Sequence, residues 1–250
     1  MINERELLRM ENIEKTFGKV AALSDVSMTV NNEEIVGLVG DNGAGKSTLI
    51  KILSGLLRAD SGEIYFKGKN VEITGSRQAI DMGIETIYQE TSLVDQLTVA
   101  RNIFLGREPT KMGFIKKLDM DYMRAESGRL LGRIGLHKVS PDSLPPTLSG
   151  GEKQSIAIAR GMYFKARLLV LDEPTNHLGI EESDRVLEFV KEAKKEGTSS
   201  IFITHNIRHV YQIADRFVVL RNGKKVGDAR KDETTIDEIS NLITGGGIGA

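Results

Sequence analysis

Gly40-Asp41-Asn42-Gly43-Ala44-Gly45-Lys46-Ser47 constrains this chain more than any other stretch. It follows the apolar run Ile35–Val39, which reads as a buried strand. Leu49, Ile52, Leu53 and Leu56 then recur at helical spacing. Strand, glycine loop and helix are the context that the pattern Gly-x-x-x-x-Gly-Lys-Ser requires. Glycines let backbone N–H groups turn inward around a phosphate with no Cβ in the way. The helix N-terminus adds a field that favours anions. Lys46 can reach β- and γ-phosphates, and Ser47 can place its hydroxyl on Mg²⁺. Such a unit belongs in an α/β protein with a parallel sheet.

A length of 250 residues suggests one domain or two closely joined ones. A net charge of −1 gives no support for a dedicated nucleic-acid binder, whose domain is usually basic. The absence of cysteine excludes a disulfide framework and cysteine-based metal sites. No apolar run approaches the roughly 18 residues of a membrane span. The opening Met-Ile-Asn-Glu-Arg-Glu lacks the basic and apolar regions of a secretory signal. A soluble, cytosolic chain is expected, one still free to dock on a membrane protein.

Upstream of the loop, Leu7–Ile13 and Val26–Val30 read as strands. Phe17 lies between them, just before Gly18; it could stack on a nucleobase or simply cover core. Downstream, Ile64–Phe66 and Val71–Ile73 flank Lys67-Gly68-Lys69 as a hairpin. A short helix over Ser76–Met82 leads into a strand over Ile84–Tyr88, with Gln89 at its exit. Ligands of open α/β sheets bind at such exits. Residues 93–150 show helices over Thr98–Gly106 and Asp121–Gly135 and no strong strand, and read as a helical insert.

Leu148-Ser149-Gly150-Gly151-Glu152-Lys153-Gln154 opens another helix. Ser149, Gly150 and Gly151 at a helix start make a second anion site on the same physics, or an ordinary Ser cap. The buried strand Leu168–Leu171 ends in Asp172-Glu173, adjacent carboxylates that repel each other without a cation. Asp172 can support Mg²⁺, and Glu173 can orient and polarise an attacking water. Strand Ser200–Thr204 ends at His205, placed to hydrogen-bond a γ-phosphate. Phe217–Leu220 and Lys224–Asp228 flank Asn222-Gly223 as a hairpin. The tail from Gly245 to Ala250 reads as frayed.

The set Gly40–Ser47, Gln89, Leu148–Gln154, Leu168–Glu173 and His205 resembles the nucleotide-binding subunit of ABC transporters, over nearly the whole chain. Ile87–Glu90, Asn102–Pro109 and Asp215–Gly223 are similar to the ATPases of bacterial ribose, xylose and fructose importers. Many of those fuse two ATPase units, and this sequence holds one.

The resemblance implies a P-loop NTPase core over residues 1–92 and 151–250, with an antiparallel β subdomain, and a helical subdomain over 93–150. It implies ATP and Mg²⁺ as ligands. Phe17 would stack on adenine, and Gly40, Asp41, Asn42, Gly43, Ala44, Gly45, Lys46, Ser47 and Thr48 would wrap the triphosphate. Ser47 and Gln89 would touch Mg²⁺, with Asp172 supporting it. Glu173 would be the base and His205 the γ-phosphate switch, with Gln89 and Lys46 also among the catalytic residues. Ser149, Gly150 and Gly151 would contact ATP held by a second copy of the chain in a two-fold sandwich. Transmembrane permease subunits and, indirectly, a solute-binding protein would be the other partners, with no nucleic acid. The subunit would then sit on the inner face of the membrane. A soluble ABC ATPase acting on ribosomes or nucleic acid is the alternative, since Glu173–Leu178 echoes such members. One position departs from the wider family: the residue after Leu178, commonly Asp and linking the two sites, is Gly179.

Overall fold

The computed structural model describes residues 5–88, 93–111, 117–176 and 178–245. Strands β1 (Glu6–Phe17) and β2 (Val20–Asn31) precede β3 (Ile35–Val39), the loop and helix α1 (Lys46–Leu53). Strands β4 (Ser61–Phe66) and β5 (Lys69–Asn70), helix α2 (Ser76–Met82) and strand β6 (Ile84–Ile87) follow. Next come α3 (Val99–Ile103), β7 (Thr110–Lys111), β8 (Lys117–Leu118), α4 (Met120–Arg133) and α5 (Gly150–Tyr163). The chain continues through β9 (Leu168–Asp172), α6 (Ile180–Lys195), β10 (Ser199–Thr204) and α7 (Ile207–Tyr211). It ends with β11 (Arg216–Arg221), β12 (Lys224–Arg230) and α8 (Ile236–Thr244).

The central sheet runs β12-β11-β3-β10-β9-β6. Five of its strands are parallel, and β12 pairs antiparallel with β11 through the Asn222-Gly223 turn, where both residues have positive φ. Every residue of β3 and β10 is buried, which is why both read as unbroken apolar runs. Strand alternation divides them between two cores. Val36, Leu38, Val170, Ile201, Ile203 and Val218 face a core shared with β1, β2, β4 and α1. Leu169, Leu171, Phe202, Phe217 and Val219 face a second core shared with helices α3–α8. The loop helix is therefore held between the central sheet and the antiparallel sheet β2-β1-β4-β5. Gly37 has no room for more: a Cβ would lie 2.9 Å from the Phe217 ring.

Some elements differ from the sequence reading. Val71–Ile73 is not a strand. The Val71 N–H still bonds the Ile64 carbonyl, but Gln78 then takes the Glu72 carbonyl and the Thr74 N–H, so the ladder stops. Leu56 lies past the end of α1 and is half exposed. A minimal hairpin, β7–β8, sits in the stretch read as free of strong strands. Helix α8 was not anticipated, although Thr235 and Glu238 form a capping box at its start. The glycine tail falls on residues 246–250, outside the described residues, and Gly245 is the left-handed cap of α8. Among the described residues no helix is long and apolar enough to cross a membrane.

Candidate functional site

Three adjacent parallel strands end together. Thr204 of β10 pairs with Val39 of β3, and Ile203 pairs with Asp172 of β9. The residues that follow, Gly40, His205 and Glu173, emerge side by side at the carboxyl edge, where α/β sheets bind ligands. Ile87 of β6 pairs with Leu171 in the same register. Gln89 comes two residues later and lies outside the described residues.

The loop is fastened by its neighbours. Gly40 has φ of 154°, and a Cβ there would stand 2.2 Å from the Leu220 carbonyl oxygen. Gly45 has φ of 103°, and its Cβ would meet the Ala22 carbonyl oxygen at 2.7 Å. The Gly223 N–H donates to the Ala44 carbonyl at 3.1 Å, tying the loop to the β11–β12 turn. Lys46 is buried, and its ammonium donates to the carbonyls of Gly40 (2.6 Å) and Asp41 (3.0 Å). Burial lowers its pKa, against the opposing charges of Glu173, Asp172 and Asp41. The lysine is thus folded back on its own loop.

A cleft of about 350 Å³ is lined by Asn42 to Thr48, by Asp172 and Glu173, and by Phe17. Phe17 is 48% exposed, which removes the core-covering reading of this ring. It stands at the end of β1, with the Lys15 ammonium 5.7 Å from its centroid. Asp60 accepts from Lys15 Nζ at 2.6 Å and from the Thr16 N–H at 2.7 Å, so the approach to the ring is clamped. A larger hollow of about 740 Å³ lies elsewhere. Within it Arg216 pairs with Glu34 at 2.8 Å and Lys194 with Asp215 at 2.6 Å.

Glu173 holds a left-handed backbone, φ 50°, uncommon for a side chain of this size and a local strain. Its N–H donates to the Ile203 carbonyl at 3.0 Å. One carboxylate oxygen accepts from the His205 N–H at 3.1 Å and lies 2.9 Å from His205 Nδ1. Asp172 beside it is pushed above the usual carboxylate range, first by burial and then by the charge of Glu173. Such a pair favours a nearby cation.

Ser149, Gly150 and Gly151 do not line this cleft. Ser149 caps α5: its hydroxyl accepts from the Glu152 N–H at 3.2 Å, and its own N–H donates to the Glu152 carboxylate at 2.8 Å. Ser149 and Gly150 remain exposed. The two anion-binding loops read from the sequence are therefore separate.

The ABC transporter family model matches residues 23–176. A xylose/arabinose import ATP-binding protein of Sulfolobus acidocaldarius is 42% identical over 98% of this chain and 96% of its own length. A ribose import ATP-binding protein of Clostridium tetani is 41% identical over 98% of this chain. The chain spans 48% of that relative, about half its length. The chain belongs to the ABC transporter family. A nucleotide-free ATP-binding cassette of an ABC transporter superposes with a TM-score of 0.81 at 28% identity, covering 96% of this chain and 95% of that one. A cassette in its ADP conformation gives 0.79 at 29%, with the same coverage. This cassette has the family's α/β architecture, a parallel core with an antiparallel β layer and helices.

Sequence reasoning missed three contributors to this ABC cassette's site. Asp60, which clamps Lys15 and Thr16, is 45 residues from Lys15 and carries no local signal. Thr175 is buried, with its hydroxyl 3.3 Å from His209 Nδ1. Glu182 bonds the Gly179 N–H at 3.2 Å and packs on Gly151. Its place three residues after Gly179 is a capping-box spacing, so that one could have been found.

Proposed function

We propose that this cassette is the ATP-hydrolysing subunit of an importer for a monosaccharide of the xylose, arabinose or ribose kind. The observation that carries the reading is the grouping of the phosphate loop, Glu173 and His205 at three neighbouring strand exits, with Ser149–Gly151 outside their cleft. The names of the two relatives support the substrate class.

In this reading Phe17 stacks on the adenine and the backbone of residues 40–48 wraps the phosphates. Lys46 leaves the Gly40 and Asp41 carbonyls for the β- and γ-phosphates. Glu173 holds the attacking water and takes its proton. His205, already bound to Glu173, bonds a γ-phosphate oxygen and keeps the water in line. Ser47 and Asp172 line the same cleft and offer hard oxygen donors, and the raised pKa of Asp172 speaks for a cation there, so the site fits Mg²⁺. Mg²⁺ bound by Ser47, Asp172 and Gln89 would neutralise charge on the transferring phosphoryl group.

Each chain then carries two half-sites, and a second copy completes both in an isologous dimer. Residues 93–150, with the loop after Gln89, form the part that passes the motion to permease subunits at the inner membrane face. The test is uptake. Cells lacking this chain should lose import of labelled xylose, arabinose or ribose and regain it with the native gene but not with Glu173→Gln. Unchanged uptake of all three sugars in the deletion strain would reject the monosaccharide reading.

A further inference from the structure

The side chain of Glu182 bridges two helix N-termini. The Gly179 N–H donates to Glu182 Oε2 at 3.2 Å, at the start of α6. The same side chain packs against Gly151 at the start of α5, near enough to the Ser149 hydroxyl and the Gly151 N–H for both to favour its charged form. The fit is close. A Cβ on Gly151 would lie 2.8 Å from Glu182 Cβ and Cγ and 2.9 Å from Cδ. Glu182 thus fills the space that the missing side chain of Gly151 leaves.

Ser149 Oγ and the Gly151 N–H are the groups that a phosphate arriving at this helix start would use. A carboxylate already stands beside them. It is held below the usual carboxylate range, by the Ser149 hydroxyl first, then by the Gly179 and Gly151 N–H groups, so it is ionised at neutral pH. Two anions cannot crowd the same helix start without strong repulsion.

We infer that Glu182 is an internal stand-in for phosphate at the Ser149–Gly151 half-site, occupying it until the γ-phosphate held by a second copy displaces it. The inference rests on the reading that this half-site receives the other copy's ATP. Displacement removes the acceptor of the Gly179 N–H at the same moment. Filling the half-site therefore uncaps α6, six residues after Glu173. Gly179 has no side chain with which to link the sites, and Glu182 supplies a link through its own movement.

The experiment compares variants in a Glu173→Gln background, measuring the ATP–Mg²⁺ concentration for half-maximal dimerisation by size-exclusion chromatography with light scattering. Glu182→Gln keeps the capping box, since Gln serves that position as well as Glu, and removes the charge. It should dimerise at roughly 3–10-fold lower ATP. Glu182→Asp, one methylene shorter, draws the charge back from Ser149 and should give a smaller gain, which carries the test if the Gln variant folds poorly. Glu181→Gln removes the same charge from an exposed neighbouring position. It should behave like the parent. A dimerising parent with no gain in either Glu182 variant, or an equal gain in Glu181→Gln, overturns this inference alone. A parent that stays monomeric at every ATP concentration overturns it together with the sandwich reading.

Discussion

His205 Nδ1 lies 2.9 Å from Glu173 Oε1, and the His205 backbone N–H donates to the same oxygen at 3.1 Å. The carboxylate is therefore aimed before any substrate arrives. Two neighbouring strand ends fix it, since the Glu173 N–H is itself bonded to Ile203. The left-handed backbone at Glu173 is the strain that accompanies this aim.

Replacing Glu173 with Gln should keep the fold, because the amide oxygen still accepts from the His205 N–H. Turnover should fall by about 10²–10⁴-fold, the usual contribution of a positioned base. ATP should still bind. Steady-state phosphate release checks the first outcome and nucleotide binding the second. A variant that hydrolyses ATP at the native rate would remove Glu173 from its role.

Asp172 gives the opposite signs for stability and activity. A carboxyl whose pKa rises on folding contributes stability that is fully present below its unfolded value and is lost as pH climbs through the folded value. Burial and Glu173 raise Asp172, so at neutral pH bringing this carboxyl into the fold costs the nucleotide-free protein stability. Asp172→Asn should raise the melting temperature without nucleotide by a few degrees. Neutralising a strained active-site group typically adds about 0.5–2 kcal/mol. The gain over the native protein should shrink in acid, as Asp172 itself becomes neutral. The same variant should lose Mg²⁺-dependent hydrolysis. Melting curves from acid to neutral pH decide it: no difference at any pH would show that Asp172 carries no such penalty.

Phe17 can be tested apart from the fold, because its ring is half exposed. Phe17→Ala should leave stability nearly unchanged and weaken ATP binding by about 1–3 kcal/mol, the range for one lost base–aromatic stack. Asp60→Ala should weaken binding in the same direction but less, since it frees Lys15 and Thr16 without removing the ring. Titration with a fluorescent ATP analogue measures both. Equal affinity in native and Phe17→Ala protein would place the base elsewhere.

The parallel core was legible because its strands are buried on both faces and read as apolar runs. Ile35–Val39, Leu168–Leu171 and Ser200–Thr204 were located to within a residue. Short-range chemistry was legible too, in the glycine loop and the Ser149 cap. Contacts made by distant side chains were not. Gln78 ends the β4–β5 ladder, and Asp60 fixes the approach to Phe17, from positions that no period or motif marks. Helix α8 was missed for another reason. Ile236, Ile239, Leu242 and Ile243 recur at helical spacing behind the capping box at Thr235, so both signals were present and were passed over beside the glycine-rich tail.

The glycines of the loop separate two effects that a single substitution would blur. Gly43 has φ of 80° and nothing within 4 Å of where a Cβ would stand. Gly43→Ala meets only the backbone penalty, about 1–2 kcal/mol. Gly40 meets both, since its Cβ would stand 2.2 Å from the carbonyl oxygen of Leu220, a backbone atom in the core of β11. Gly40→Ala must displace β3 from β11 or the loop from β3. It should cost more than about 4 kcal/mol, the exceptional class of single substitutions. Chemical denaturation with circular dichroism compares the two. Gly43→Ala should fold with a slightly lower midpoint, and Gly40→Ala should be largely unfolded or insoluble. A stable, soluble Gly40→Ala protein that still binds ATP would mean that the loop does not sit against β11 as described.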